Sequence, residues 1–322
     1  MPIPLSILDL AFVSAGTSPR DALAGCVTLA QRAEALGYRR VWYAEHHNMP
    51  LIASSATSVL IAHVAAHTRT LRVGAGGIML PNHAPLVIAE QFGTLECLHP
   101  GRIDLGLGRA PGTDPVTTRA LHVPPSSSEA FPSDVLELQA FLGDDSRVPG
   151  VEATPGKGTR VPLYILGSSL FGARLAAQLG LPYAFASHFA PQSLEDAVAL
   201  YRAEFRPSEQ QATPHVIAGL NVIAADDPAD ARAQLSAVQR SRVKALLGRG
   251  KGWSDAQADA VLASPAGQGI AAMSTYTAMG TRAEVQAYVE RFAEHARADE
   301  LIVVHASPTL EARLRSVELL VA

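Results

Sequence analysis

The chain has 322 residues, of which 48% are hydrophobic and 17% charged, with a formal net charge of -4. That balance fills a core and excludes a disordered chain, while scattered Lys and Arg without a basic run argue against nucleic acid and anionic membranes as partners. No stretch reaches the roughly 18 uncharged apolar residues of a membrane span, and the opening "MPIPLSILDLAF" has neither a charged leader nor a cleavage site, so the expected location is cytoplasmic.

Eight short, apolar, β-favouring runs follow one another along the chain. They are "LSILDLAF" (5–12), "RVWYAE" (40–45), "LRVGAGGIML" (71–80), "RIDLGLG" (102–108), "PLYILGS" (162–168), "YAFASHF" (183–189), "HVIAGLNVIAA" (215–225) and "ELIVVHAS" (300–307). Being runs more than alternations, they read as strands buried on both faces. Amphipathic helix patterns separate most of them, at 18–38, 54–68, 84–101, 171–182 and 281–297. The first opens on Ser18-Pro19 and closes at Gly37, a start and a stop with clear backbone reasons. Cys26 and Cys97 fall inside two of these patterns, without CxxC spacing, and both read as reduced core residues. Strand and helix alternate eight times, so the expected fold is an α/β (β/α)8 TIM barrel forming one domain over residues 1–322.

Two stretches exceed a plain barrel. Residues 110–160 follow strand 4 and residues 226–280 follow strand 7. Long excursions at the face where barrel enzymes build their sites read as lids. The strand ends then present Asp9, Glu45-His46-His47, Gly76-Gly77, Arg109, Gly167-Ser168-Ser169, Ser187-His188 and Asn221 to one rim. His clusters at such ends can bind zinc, but strand 1 carries no HxH and no Lys or Asp set completes the site, so no metal is expected.

The stretches "GYRRVWYAEHHNMP", "RVGAGGIMLPNHAPLVIAEQFGTLECLHPGRIDLGLGRAPG", "LGSSLFGARLAAQLGLP" and "GTRAEVQAYVERF" with "ADELIVV" resemble the luciferase-like, flavin-dependent monooxygenases, the family of the bacterial luciferase α subunit. The resemblance covers most of the barrel and is weakest in the two excursions. The absence of GxGxxG on a βαβ unit agrees with it, since this family holds its flavin in a barrel.

The resemblance implies roles residue by residue. His46 would sit by the flavin ring and act in acid/base steps, where a group titrating near neutrality is needed. His47 is the second candidate, and Glu45 the residue that orients a neighbour; the alternative is that the triplet only braces its loop. Gly76 and Gly77 match a pair that lies under the isoalloxazine ring and can form a non-prolyl cis peptide. Bacterial luciferase has alanines there, so this chain keeps the close approach and leaves the cis bond open, with a β-bulge as the plainer reading. Arg109 matches the arginine of the flavin phosphate, an always-charged bidentate donor, against a surface ion pair. Gly108 stands where bacterial luciferase has a reactive cysteine, so thiol chemistry is not implied. Gly167, Ser168, Ser169 and Gly172 open a helix with free amides and hydroxyls, a phosphate cradle or simply a cap. Ser187 would belong to the flavin site, and His188 could reach the ring or the substrate, or be structural. Asn82, after Pro81, reads equally as a helix-start residue.

The implied function is a two-component monooxygenase. Reduced FMN, supplied by a separate NAD(P)H:flavin reductase, would react with O2 at C4a, and the hydroperoxide would attack a small organic substrate under the lids. An F420-dependent hydride transfer, for which the rim offers Arg109, Lys157 and Arg160 as cations, and a non-catalytic flavin-binding protein are the alternatives. The apolar face of the 84–98 helix (Leu86, Ile88, Ala89, Phe92, Leu95) packs against another subunit in relatives, which implies a homodimer, or packs on its own barrel.

Overall fold

Apolar runs without polar alternation form strands that need cover on both faces. The computed structural model describes residues 3–110 and 112–321. In chain order its elements are β1 (Leu5–Asp9), α1 (Pro19–Ala35), β2 (Arg40–Tyr43), α2 (Thr57–Ala66), β3 (Arg72–Met79), α3 (Pro85–Leu98), β4 (Ile103–Gly108), α4 (Pro115–Ala120), α5 (Phe131–Leu142), β5 (Leu163–Gly167), α6 (Leu170–Leu179), β6 (Tyr183–Phe185), α7 (Leu194–Glu204), β7 (Val216–Ala224), α8 (Pro228–Leu246), α9 (Asp255–Leu262), α10 (Gln268–Ala272), β8 (Thr277–Gly280), α11 (Arg282–His295), β9 (Glu300–His305) and α12 (Leu310–Val321). Eight strands, β1 to β7 with β9, pair in parallel and close through β6–β7. This is the expected (β/α)8 barrel, with its excursions after the fourth and seventh strands. The second excursion also holds β8, a four-residue strand that pairs with β7 from Asn221 to Ala224, beyond the point where β7 leaves β6. That strand was not foreseen.

Two shells of core follow from strand parity. Val41 and Tyr43 of β2 face outward and pack with the helices, whereas Trp42 and Ala44 face the barrel axis with Leu8, Tyr164, Ala184, Ile217, Ile302 and Val304. Parity places Asn221 of β7 on the axial face and, continued past the ends of β2 and β6, carries His46 and His188 toward the axis at the C-terminal mouth.

At the opposite end the axis is filled by charge. Arg40, 1% exposed, pairs with Asp104 at 2.7 Å and Glu300 at 2.9 Å. It also donates to the Tyr164 hydroxyl at 2.7 Å. Asp104 accepts from Trp42 Nε1 at 3.0 Å and Arg72 Nε at 3.0 Å. Glu300 accepts from the Ser6 hydroxyl at 2.5 Å. A buried ion cluster of this kind holds together only when each member is matched.

One expectation, the burial of Cys97 on α3, is corrected. Cys26 is buried but Cys97 is exposed; both are free thiols. On α3 the residues Ile88, Ala89, Phe92 and Leu95 pack into this chain's own core, and the exposed apolar groups nearby are Val59, Val87 and Leu98. No helix among the described residues is long and apolar enough to cross a membrane.

Candidate active site

The strand β2 ends at Tyr43, and the chain continues its pairing for two residues, Glu45 N–H donating to Gly77 O at 3.2 Å. Glu45 is buried at 1% exposure and its carboxylate turns toward the loop after β3. There it accepts from the Met79 amide at 3.0 Å, the Asn82 side-chain amide at 3.2 Å, and the Nε2 atoms of His83 at 3.0 Å and His47 at 2.8 Å. Burial alone would raise its pKa. The hydrogen bond and charge of His83, then His47 and the Met79 amide, outweigh this and hold the carboxyl below the usual carboxylate range. Glu45 is therefore an orienting hub, and His47 one of the groups it holds. Asn82 does not start α3: that helix begins at Pro85 after Ala84, and Asn82 serves Glu45 from the short turn before it.

His46 is different. Its backbone N–H donates to Ser54 O at 3.2 Å, but its Nδ1 is buried without a partner among the described residues. Burial, then the charge of Glu45 in the opposite sense and that of His47, leave its pKa below the ordinary histidine value, so the ring is neutral at pH 7. A cavity of about 300 Å³, lined by His46, Asn48, Met49, Pro50, Ile52 and Ser55, opens beside it. His188, after β6, also has a buried Nδ1 with no partner among the described residues. Burial, then Arg242 and His46, push it down to about 3.

The peptide between Gly76 and Gly77 is cis, and the β3–β4 register shifts at this point. A Cβ at Gly76 would lie 2.9 Å from both Leu8 Cδ1 and Trp42 Cβ, and one at Gly77 would lie 2.6 Å from Gly106 O. Neither position takes a side chain, so this wall of the mouth is bare backbone.

Arg109 follows β4 directly. It is exposed, makes no ion pair among the described residues, and lies over the Phe171 ring at 4.0 Å. Phe171 belongs to the first turn of α6, so Arg109 leans on the helix start that Ser168 and Ser169 lead into. Ser169 is the N-cap, yet its side chain makes no capping bond; its carbonyl accepts from the Tyr183 hydroxyl at 3.1 Å. Gly167 and Gly172 stack closely, a Cβ on Gly172 meeting Gly167 Cα at 3.5 Å. Hydroxyls, helix amides and a guanidinium thus remain uncommitted around one spot, the donor set a phosphate requires.

Two rim residues turn away from the mouth. The Ser187 hydroxyl is buried and donates to Gly219 O at 2.6 Å, tying β6 to β7. Asp9 caps its own turn through the Ala11 amide at 2.9 Å and faces Arg313 at 3.9 Å.

Sequence reasoning missed the contacts that join the excursions. Asn48, with φ of 56°, donates from Nδ2 to Thr117 Oγ1 at 2.8 Å and Asp114 Oδ2 at 3.2 Å on the first excursion. Its Oδ1 accepts from Arg249 of the second at 2.9 Å. The Thr113 hydroxyl donates to His47 O at 3.0 Å. Both excursions are thereby fastened over the loop that carries His46. Arg242 was missed as well, since it lies in the polar pattern of α8.

Comparison with known proteins agrees with this geometry. The profile of the family described as luciferase-like monooxygenase matches residues 3–303. A luciferase-like monooxygenase of Escherichia coli strain K12 is 47% identical over 320 residues, 98% of this chain and 96% of the relative. An N-acetyl-S-alkylcysteine monooxygenase of Bacillus subtilis is 41% identical over 189 residues, 57% of each chain. The solved structure of apo-MsnO8 superposes with a TM-score of 0.88 at 33% identity, covering 99% of this chain and 97% of that one. At 16% and 18% identity, where likeness shows the fold alone, stand an FMN complex of a Baeyer-Villiger monooxygenase component (TM-score 0.71) and an F420-dependent secondary alcohol dehydrogenase (TM-score 0.70). The chain belongs to the luciferase-like monooxygenase family, enzymes that act with a flavin and O2.

Proposed function

We propose that this chain is the oxygenating component of a two-component system, taking reduced FMN from an NAD(P)H:flavin reductase and inserting oxygen into a small organic substrate. Reduced FMN, when bound, supplies the electrons that activate O2. Arg109, Ser168, Ser169 and the amides opening α6 would hold its phosphate, and the bare Gly76–Gly77 backbone would line its ring. His46, neutral and unpartnered at Nδ1, takes or returns a proton. Glu45 holds His47 and His83 so that the loop beneath His46 does not move. The excursions joined at Asn48 keep bulk water from the mouth. The whole chain acts as one unit, and a homodimer would cover Val59, Val87 and Leu98.

One observation carries the reading: the buried, unpartnered His46 and the side-chain-free Gly76–Gly77 wall share a mouth with the uncommitted Arg109 and Ser168–Ser169. F420 hydride transfer would ask for further cations to meet a longer anionic tail. The two weighed for that task are engaged on the surface, Lys157 with Glu152, and Arg160 with Asp144 and Glu209. A non-catalytic flavin binder that had lost barrel elements is disfavoured by the complete barrel.

The test is anaerobic titration with reduced FMN, followed by mixing with oxygenated buffer and assay of the hydrogen peroxide released. The wild type should bind reduced FMN and retain the oxidising equivalents. Arg109→Ala should weaken binding about tenfold, as loss of one charge-assisted phosphate contact does. His46→Ala should bind but release peroxide early. Absence of binding to reduced FMN, with binding to F420 instead, would contradict the reading.

A further inference from the structure

Arg242 lies on α8, the first helix of the second excursion, and its guanidinium reaches the mouth. Nη2 meets Asn221 Oδ1 at 3.5 Å, and Nη1 meets Met273 O and Ser274 Oγ at 3.4 Å each. All three acceptors are neutral, and all three contacts sit at the long edge of hydrogen bonding. No carboxylate pairs with this guanidinium among the described residues. Arg242 is half-buried, and that burial holds its pKa below the ordinary arginine value. A half-buried charge without its opposite still costs free energy to keep, so a group held this way is arranged to meet an anion that arrives later.

The neighbourhood says which anion. Asn221 is 2% exposed and on the axial face of β7, and its amide nitrogen is fixed by the carbonyl of His188 at 2.5 Å and that of Tyr276 at 3.3 Å. Its oxygen is thereby aimed at Arg242. His188 lies close enough to feel the Arg242 charge, and His46 close enough to act on His188. Both rings are neutral at pH 7, and the other buried guanidinium here, Arg313 over the Phe12 ring at 5.8 Å, faces Asp9 at 3.9 Å, so Arg242 is the cation on this side that meets no carboxylate among the described residues. Partly buried Leu10, Phe12 and Leu166 join the inner apolar cluster below. One cation beside neutral imidazoles and an apolar wall suits a monoanion with a hydrocarbon body. The planar guanidinium fork matches a carboxylate. The phosphate-ready group at Arg109 and Ser168 follows β4 and β5, whereas Arg242 stands over β7, so the flavin phosphate has a place of its own.

We propose that Arg242 receives the carboxylate of the organic substrate, so that this enzyme acts on apolar acids in preference to neutral aldehydes or ketones. The proposal rests on reading the mouth as the oxygenation site.

The experiment compares hexanoate and octanoate with hexanamide and octanamide by calorimetric titration of the full chain, with and without oxidised FMN. The carboxylates should bind about 30-fold more tightly than the amides, the size expected for a buried charge pair. Arg242→Met should abolish that preference and Arg242→Lys should retain most of it, while anaerobic binding of reduced FMN is unchanged in both. Equal affinity for acid and amide in the wild type, including binding of neither, overturns the proposal. So does an acid preference that survives in Arg242→Met, or a loss of reduced FMN in that variant, which would assign the guanidinium to the flavin. Failure of the flavin reading looks different: reduced FMN then binds no variant, whatever the acids do.

Discussion

The two ends of this barrel handle polarity in opposite ways. At the N-terminal end, Arg40 is matched by Asp104, Glu300 and Tyr164, and Asp104 in turn by Trp42 and Arg72. At the C-terminal end, among the described residues, His46 and His188 each keep a buried ring nitrogen without a partner, Arg242 meets only neutral acceptors, and Arg109 rests on an aromatic ring. The lower set sits on the strands themselves, whereas the upper set follows strand ends or, for Arg242, lies on α8. The difference shows where the fold is held and where it waits for a ligand: matched charge stabilises, and unmatched polarity in a closed place marks function. Glu45 stands between the two cases, at the functional end but fully engaged.

The comparison breaks first at Arg40. Arg40→Met removes the central cation, leaving Asp104 to Arg72 and Glu300 to the more exposed Arg39, and should cost about 3–5 kcal/mol in urea unfolding. If that variant does not fold, Asp104→Asn, which keeps the shape, should cost about 1–3 kcal/mol. A loss well under 1 kcal/mol from either would mean the lower cluster is not a staple. Next comes His46→Ala, expected to lower coupled turnover about a hundredfold with little change in unfolding. Because burial holds His46 below 6.5, the active neutral form is lost only as pH falls through that lowered value. The acid limb of the rate should therefore lie below pH 6.5, and a limb above it would remove His46 from the proton step.

Glu45→Gln should cost about 2 kcal/mol of stability, the worth of hydrogen bonds to a charged acceptor. The carboxyl is depressed in the folded chain, so its contribution is complete above the unfolded value of 4.5 and fades as pH falls toward the folded one. The wild type and the Gln variant should thus converge in stability on acidification; a constant gap would refute the hub. The smallest effect is expected at Asn48. Asn48→Ala should cost about 0.5–1.5 kcal/mol, yet raise the fraction of O2 released as hydrogen peroxide. Unchanged coupling would show that the two excursions close independently.

Much of this was legible in the sequence. The barrel strands announced themselves because burial on both faces removes polar alternation, and the Ser18-Pro19 start and Gly37 stop placed α1 closely. β8 was not legible, because four residues inside an excursion give no pattern apart from their neighbour β7. α5 was hidden between proline- and serine-rich segments. The glycine pair marked the close approach but could not show that its peptide is cis. Cys97 was misplaced because α3 carries apolar residues around much of its circumference, so the pattern alone could not say which face is inside. Arg242 was invisible for a different reason. Its meaning lies in the carboxylate partner it lacks among the described residues, which only the folded arrangement reveals.

The most direct measurement is a crystal structure of the protein with FMN under reducing conditions. The account predicts the phosphate within hydrogen-bond reach of Arg109 and the start of α6, the ring against Gly76–Gly77, and His46 in contact with it. A flavin bound elsewhere, or a phosphate seated on Arg242, would contradict the assignment of this end of the barrel.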